Sequence, residues 1–176
     1  LSEECVQLLD GHLELLYTGH VRQAKHLLRD VLRRWLLGRP QSVSNVERLL
    51  RTADKMATAL RADNVVDIGR HLAEYWQQKK QMCNGAEPDY VRALLDVLYR
   101  EDLILGASLT GAGGGGFLLV VTREPGSRAR LQAALAAGSI EGVEFHDVAV
   151  DDVGMQLSLG GASVPIEHWK EWLALL

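Results

Sequence analysis

The sequence predicts an α+β fold of the split β-α-β, ferredoxin-like kind, an antiparallel sheet with helices on one face and extra helices in the first crossover. Three observations predict it. Strand-like apolar runs stand in HLELLYTG (12–19), ILGASL (104–109) and FLLVV (117–121), and VEFHDVAV (143–150) alternates as a fourth. Helical periodicities crowd between the first and second of these runs. One further helix, RARLQAALAA, separates the third from the fourth. The order strand, helices, strand, strand, helix, strand gives the connectivity.

At 176 residues, 47% apolar and 24% charged, the chain is long enough for one good-sized core and shows no repeat or low-complexity linker. One domain is the natural reading. The formal charge of −4 is uneven: residues 1–100 carry 15 basic and 13 acidic side chains (+2), residues 101–176 carry 4 and 10 (−6). No overall field calls for nucleic acid. Cys5 and Cys83 fit no metal spacing and read as reduced thiols of a cytoplasmic protein. The uncharged stretch Leu103–Thr122 contains six glycines, which makes it a poor membrane helix. Glu3 and Glu4 stand where a signal peptide would need basic residues. No membrane partner is expected. The start at Leu1, without methionine, suggests a piece of something longer.

The elements follow in order. Ser2 caps a short helix to Asp10, and Gly19 ends the first strand. VRQAKHLLRDVLRRWLL then has a stripe of Val21, Ala24, Leu28, Val31 and Trp35, widened by Leu27 and Leu32, that predicts burial on one side. Arg22, Lys25, His26, Arg29 and Arg33 face the other way, as a solvated face or one suited to phosphate or an anionic membrane. Ser44 and Glu47 make a capping-box pattern before a second helix, with Val46, Leu49, Leu50, Ala53, Met56, Ala57 and Leu60 inward. Asn64 caps a third, to about Met82, with Val65, Ile68, Leu72 and Trp76 inward. NGAEP (84–88) breaks it, and Pro88 starts a fourth, through Leu94, Leu95 and Leu98 to Arg100. Gly126-Ser127 leads into RARLQAALAA, closed by Gly138. MQLSL adds a short strand, and a helix from Pro165 would put Ile166, Trp169, Leu173 and Leu176 on one side.

LTGAGGGGFLLVV (109–121) is the candidate site. Gly111, Gly113 and Gly116 satisfy G-x-G-x-x-G, but a dinucleotide loop leads from a strand into a helix, and this one leads into Phe117-Leu-Leu-Val-Val. A Walker loop needs Lys and Ser/Thr after its last glycine, where Phe117 stands. What is left is a glycine turn between strands, either a plain hairpin or a buttress for a phosphate loop supplied elsewhere. Four consecutive glycines cost several tenths of a kcal/mol each (roughly) against alanine, more than a plain turn requires. Tyr17, Thr18, Gly19 and Arg22, at a strand end and the next helix start, are the second candidate group. Trp76, Lys79 and Lys80 form a third, with Trp76 also on its helix's apolar stripe. His146 reads as structural.

LTGAGGGGFLLV closely resembles the third motif of the GHMP kinases, the galactokinase, homoserine, mevalonate and phosphomevalonate kinase superfamily. LLYTGHVRQAKHLLRDVLRRW is similar to the strand-turn-helix that opens their C-terminal domain in the fucokinase and heptose-phosphate kinase branch, and YWQQKKQMCNGAEPDYVRALLDVL to the helices before the hairpin. Together these cover most of residues 10–150, with wording closest to the L-fucose kinases. The resemblance implies a C-terminal domain over 1–161; the tail over 162–176 matches nothing in the family, and its spacing alone reads as helical. The resemblance also implies ATP-dependent phosphorylation of the anomeric hydroxyl of L-fucose, giving fucose 1-phosphate for nucleotide-sugar salvage. Gly111, Ala112, Gly113, Gly114, Gly115 and Gly116 would back the ATP-binding loop, and Thr18, Gly19 and Arg22 would line the sugar or phosphate side. The superfamily's P-x-x-x-G-L-G-S-S-A-type phosphate loop is nowhere in this chain, and the catalytic aspartate and Mg ligands would belong with it, in an N-terminal kinase domain. A heptose phosphate is the runner-up substrate. A kinase-derived module that binds a sugar or a protein without catalysis is the rival class.

Overall fold

A computed structural model describes residues 1–20, 24–151, 156–159 and 162–165. Helix α1 (Glu3–His12) leads into strand β1 (Leu13–Tyr17), followed by α2 (Ala24–Leu36), α3 (Pro40–Arg61), α4 (Val65–Met82) and α5 (Asp89–Arg100). Strands β2 (Ile104–Leu109) and β3 (Phe117–Thr122) form a hairpin, and α6 (Arg128–Ala137) leads to β4 (Glu144–His146). The sheet order is β2-β3-β1-β4, with every neighbouring pair antiparallel. That is the split β-α-β order the sequence predicts, with α2 to α5 in the first crossover and α6 in the second. Of VEFHDVAV, only the three residues of β4 pair. A separate hairpin joins β5 (Gln156–Leu159) to β6 (Ala162–Pro165). Pro165 therefore closes a strand. The expected helix after it lies outside the described residues.

The caps follow local chemistry. The Ser2 side chain accepts the Cys5 N–H, and that of Asn64 accepts the Asp67 N–H. Helix α3 differs from expectation. It begins a turn early because Pro40, with no N–H to satisfy and φ already helical, takes the first position, leaving Ser44 and Glu47 inside the helix.

Two apolar clusters divide the helices between the two faces of the sheet, rather than gathering them on one. Leu16, Leu118, Val120, Ala107 and Leu109 meet Val91, Leu94 and Leu98 of α5 and Leu131 and Leu135 of α6. On the other face Val121, Leu13 and Leu105 meet Cys5 and Leu9 of α1, Ala59 of α3 and Ile68 of α4. The reason lies in the strands, whose residues are apolar on both sides and need two covers. Buried Glu14 crosses to the α6 N-terminus, where it accepts from Arg128 at 2.9 Å. Helix α4 lies directly on β2: a Cβ on Gly106 would stand 1.8 Å from the Gly69 carbonyl oxygen.

Two expected helix faces are turned. Much of the stripe on α2 is in solvent: Leu28, Leu32 and Trp35 are 51, 59 and 46% exposed, as is Leu36 beyond it at 82%, while Leu27 and Val31 join a small cluster with Cys83 and Ala86. On α3 the buried residues are Asn45, Thr52 and Ala59, seven apart, while Leu50 is exposed. Fully buried Gln78 of α4 draws that polar stripe inward. Its side chain donates to Thr52 Oγ1 and its backbone carbonyl accepts from Asn45, both at 2.8 Å.

Candidate functional site

The glycine segment is the bend between β2 and β3, with Leu109 opposite Leu118 in the ladder and the Thr110 N–H on the Phe117 carbonyl at 2.8 Å. It joins antiparallel strands and opens no helix, so the dinucleotide geometry is absent. Gly111, Gly113, Gly114, Gly115 and Gly116 all hold φ between +61° and +137°, where L side chains are strained. Ala112 alone has an ordinary φ.

The bend is seated on its inner side by the chain itself. The Gly114 N–H donates to the Ala86 carbonyl at 2.8 Å, and the Gly114 carbonyl accepts the Tyr90 hydroxyl at 3.1 Å. The Gly116 N–H donates to the His20 carbonyl at 2.7 Å. A Cβ on Gly113 would stand 2.9 Å from Ala86 O, and one on Gly115 would stand 2.5 Å from the Tyr90 hydroxyl and 2.8 Å from His20 O. Gly111 and Gly116 have nothing within 4 Å of their absent Cβ, and Gly111 is exposed. The run of glycines thus has two causes: close backbone packing at Gly113 and Gly115, and an open side at Gly111 and Gly116. Among the described residues the N–H groups of Gly111, Ala112 and Gly113 have no protein acceptor. Around these donors the Ala112 methyl is the only side chain that Gly111–Gly113 contribute.

Thr18, expected on the sugar side, is buried and tied to the bend: its N–H and its hydroxyl both reach the Gly116 carbonyl at 2.9 Å. The structure therefore brings the first and second candidate groups together. Gly19 is exposed with φ +74°, and its absent Cβ would meet Gly142 O at 2.5 Å, a packing reason for glycine there. Arg22 lies outside the described residues. Lys79 donates to the Leu109 carbonyl at 2.7 Å, at the foot of the bend, with its ammonium 5.5 Å from the Tyr75 ring and 5.7 Å from that of Trp76. Burial lowers its pKa, because the surroundings disfavour the charged form. Trp76 is 2% exposed and in the core. Lys80 instead pairs with Glu87. His146 packs edge-on against Phe117 and Tyr17.

Sequence reasoning missed His20, Ala86 and Tyr90 as the seat of the bend. The pattern offers no signal for His20, and NGAEP reads only as a helix break. No cluster of three or more His, Cys, Asp or Glu suited to a cation occurs among the described residues.

Residues 56–140, from the end of α3 through α6, match the family described as GHMP kinases C terminal. L-fucokinase/L-fucose-1-P guanylyltransferase of Bacteroides fragilis is 31% identical over 150 residues, 85% of this chain and 16% of that protein. The bifunctional fucokinase/GDP-fucose pyrophosphorylase of Arabidopsis thaliana is 28% identical over 123 residues, 70% of this chain and 12% of that protein. The chain thus spans 16% or less of the length of these relatives. The crystal structure of L. major mevalonate kinase in complex with R-mevalonate shares the fold, with a TM-score of 0.62 and 17% identity, over 79% of this chain and 43% of that one. Family match, relatives and fold agree with the glycine bend between β2 and β3: the chain belongs to the GHMP kinases, as their C-terminal domain.

Proposed function

We propose that the chain is the C-terminal domain of an ATP-dependent sugar kinase that phosphorylates the anomeric hydroxyl of L-fucose. The observation that supports this most is the glycine bend, held on its inner side by Ala86, Tyr90 and His20 and open at Gly111. ATP supplies the phosphoryl group, and an N-terminal kinase domain of the same polypeptide supplies the phosphate-cradling loop and the Mg ligands. The named functions of the fucokinase relatives favour L-fucose over a heptose phosphate.

In this reading the domain contributes position and shape. Phosphoryl transfer depends mainly on alignment and on stabilising charge on the transferred group. Gly111, Ala112 and Gly113 present backbone donors with no side chain larger than the Ala112 methyl to hold the partner loop away. Thr18, bonded to Gly116, couples the strand end expected near the sugar to the bend expected near the nucleotide.

The test is Ala112→Glu in the full-length protein. Ala112 is half-buried and has an ordinary φ, so the change spares the backbone while putting a carboxylate on the nucleotide side. Loss of one charge-assisted contact is worth about tenfold or more, so KM for ATP should rise by at least that with KM for the sugar little altered. An unchanged ATP dependence rejects the reading. A panel of sugars with ATP should give turnover with L-fucose, and a preference for a heptose phosphate would reassign the substrate.

A further inference from the structure

We infer that Glu87, which the bend never touches, is the positioning residue that sets the bend's shape and thereby the affinity for the nucleotide. The inference rests on the reading of the bend as a nucleotide wall. Its structural half stands independently.

Glu87 lies in the turn between α4 and α5 with its side chain 10% exposed. Three donors from two helices converge on that carboxylate. The Trp76 indole N–H reaches Oε2 at 2.8 Å, the Lys80 ammonium reaches the same oxygen at 3.0 Å, and the Arg92 guanidinium reaches Oε1 at 3.3 Å. Trp76 is 2% exposed, so without Glu87 its N–H would be buried without a partner. A charged acceptor nearly removed from water and met by three donors holds a narrow geometry, since each donor constrains it from a different direction.

That geometry passes to the bend through one peptide. Ala86, adjacent in the chain and 1% exposed, holds the carbonyl that accepts the Gly114 N–H, and the same oxygen stands 2.9 Å from where a Gly113 Cβ would be. Tyr90, three residues after Glu87, donates to the Gly114 carbonyl. Its ring also lies 4.2 Å from that of His20, whose own carbonyl holds Gly116. Both polar groups of the Gly114 backbone are therefore tied to the segment that Glu87 anchors. Glycines hold no conformation of their own, so the shape of the bend is borrowed from this turn. The Gly111, Ala112 and Gly113 donors point where the turn puts them.

Three variants test this. In the isolated chain, Glu87→Ala should speed hydrogen exchange at the Gly114 amide by about tenfold or more, the loss of one such bond, with the α6 amides unchanged. Tyr90→Phe, which removes one hydroxyl and keeps the packing, should speed the same amide by a smaller factor. In the full-length protein, Glu87→Ala should raise KM for ATP by about tenfold at nearly constant kcat and constant sugar KM, with Glu87→Gln recovering part of the loss. Unchanged Gly114 exchange in both Glu87→Ala and Tyr90→Phe overturns the inference. So does a uniform loss of kcat and both KM values that follows melting temperature, which marks a merely structural residue. Faster exchange with unaltered ATP dependence, joined to a silent Ala112→Glu, instead removes the nucleotide reading and leaves the mechanical one.

Discussion

At the scale of single residues, the five positive-φ glycines of the bend are not equivalent. Gly115 has φ +137° and two polar oxygens within 2.8 Å of its missing Cβ, so Gly115→Ala forces His20 or Tyr90 away. Gly111 has φ +61° and open space, and an alanine there costs only the left-handed conformation, about 1–2 kcal/mol. Thermal unfolding of the two variants should show the Gly115 substitution clearly worse, and equal melting points would contradict this seating. The sequence displayed the glycines and their neighbouring strands plainly. It could not divide them, because what separates Gly115 from Gly111 is the presence of His20 and Tyr90, 95 and 25 residues away along the chain from Gly115.

At the scale of elements, α2 carries the largest discrepancy between pattern and packing. Periodicity finds the helix, but its apolar residues span a wide arc, and the pattern does not say which part of that arc meets the core. Leu27 and Val31 do, while Leu28, Leu32, Trp35 and Leu36 do not. Leu27→Ala should therefore cost about 2–5 kcal/mol in urea titrations, and Leu32→Ser should stay within about 0.5 kcal/mol. The reverse ranking would mean that α2 turns its other side to the core. On α3 the same ambiguity was resolved against hydrophobicity: Thr52 accepts from the buried Gln78 amide and Asn45 donates to the Gln78 backbone carbonyl, while Gln78 Oε1 and Asn45 Oδ1 stay buried without a partner. Where a cap or proline fixes the local geometry, as at Ser2, Asn64 and Pro88, the element starts where the residues indicate.

Across the whole molecule the pH response should be set by groups hidden in separate clusters. Cys5 in the α1 cluster and Cys83 beside α2 are free and buried, and burial raises both thiol pKa values. A thiol kept neutral in the fold but able to ionise once unfolded favours the unfolded state above its unperturbed pKa. Stability should thus fall as pH rises past about 8.5. Lys79 acts in the opposite sense: with its folded pKa lowered, it gives stability that grows with pH up to about 10.4, where the unfolded ammonium loses its proton. Urea midpoints between pH 8 and 10 should decline less in a Cys5→Ala, Cys83→Ala double variant than in the parent. Native thiols should also resist alkylation that both accept in denaturant. Rapid labelling of the folded chain would show either thiol to be accessible. No described helix is long and apolar enough to cross a membrane.

The bare junction of Gly69 with Gly106, where helix rests on strand with no side chain for padding, makes α4 a rod clamped near its first turns. Ten residues further along that rod, Lys79 grips the last carbonyl of the same strand. One extra residue spliced between clamp and grip would swing the lysine by about 100° around the axis, away from its hold. Insertions that a surface helix absorbs elsewhere should here unhook the bend, so the interval from 69 to 79 works as a fixed length of linkage.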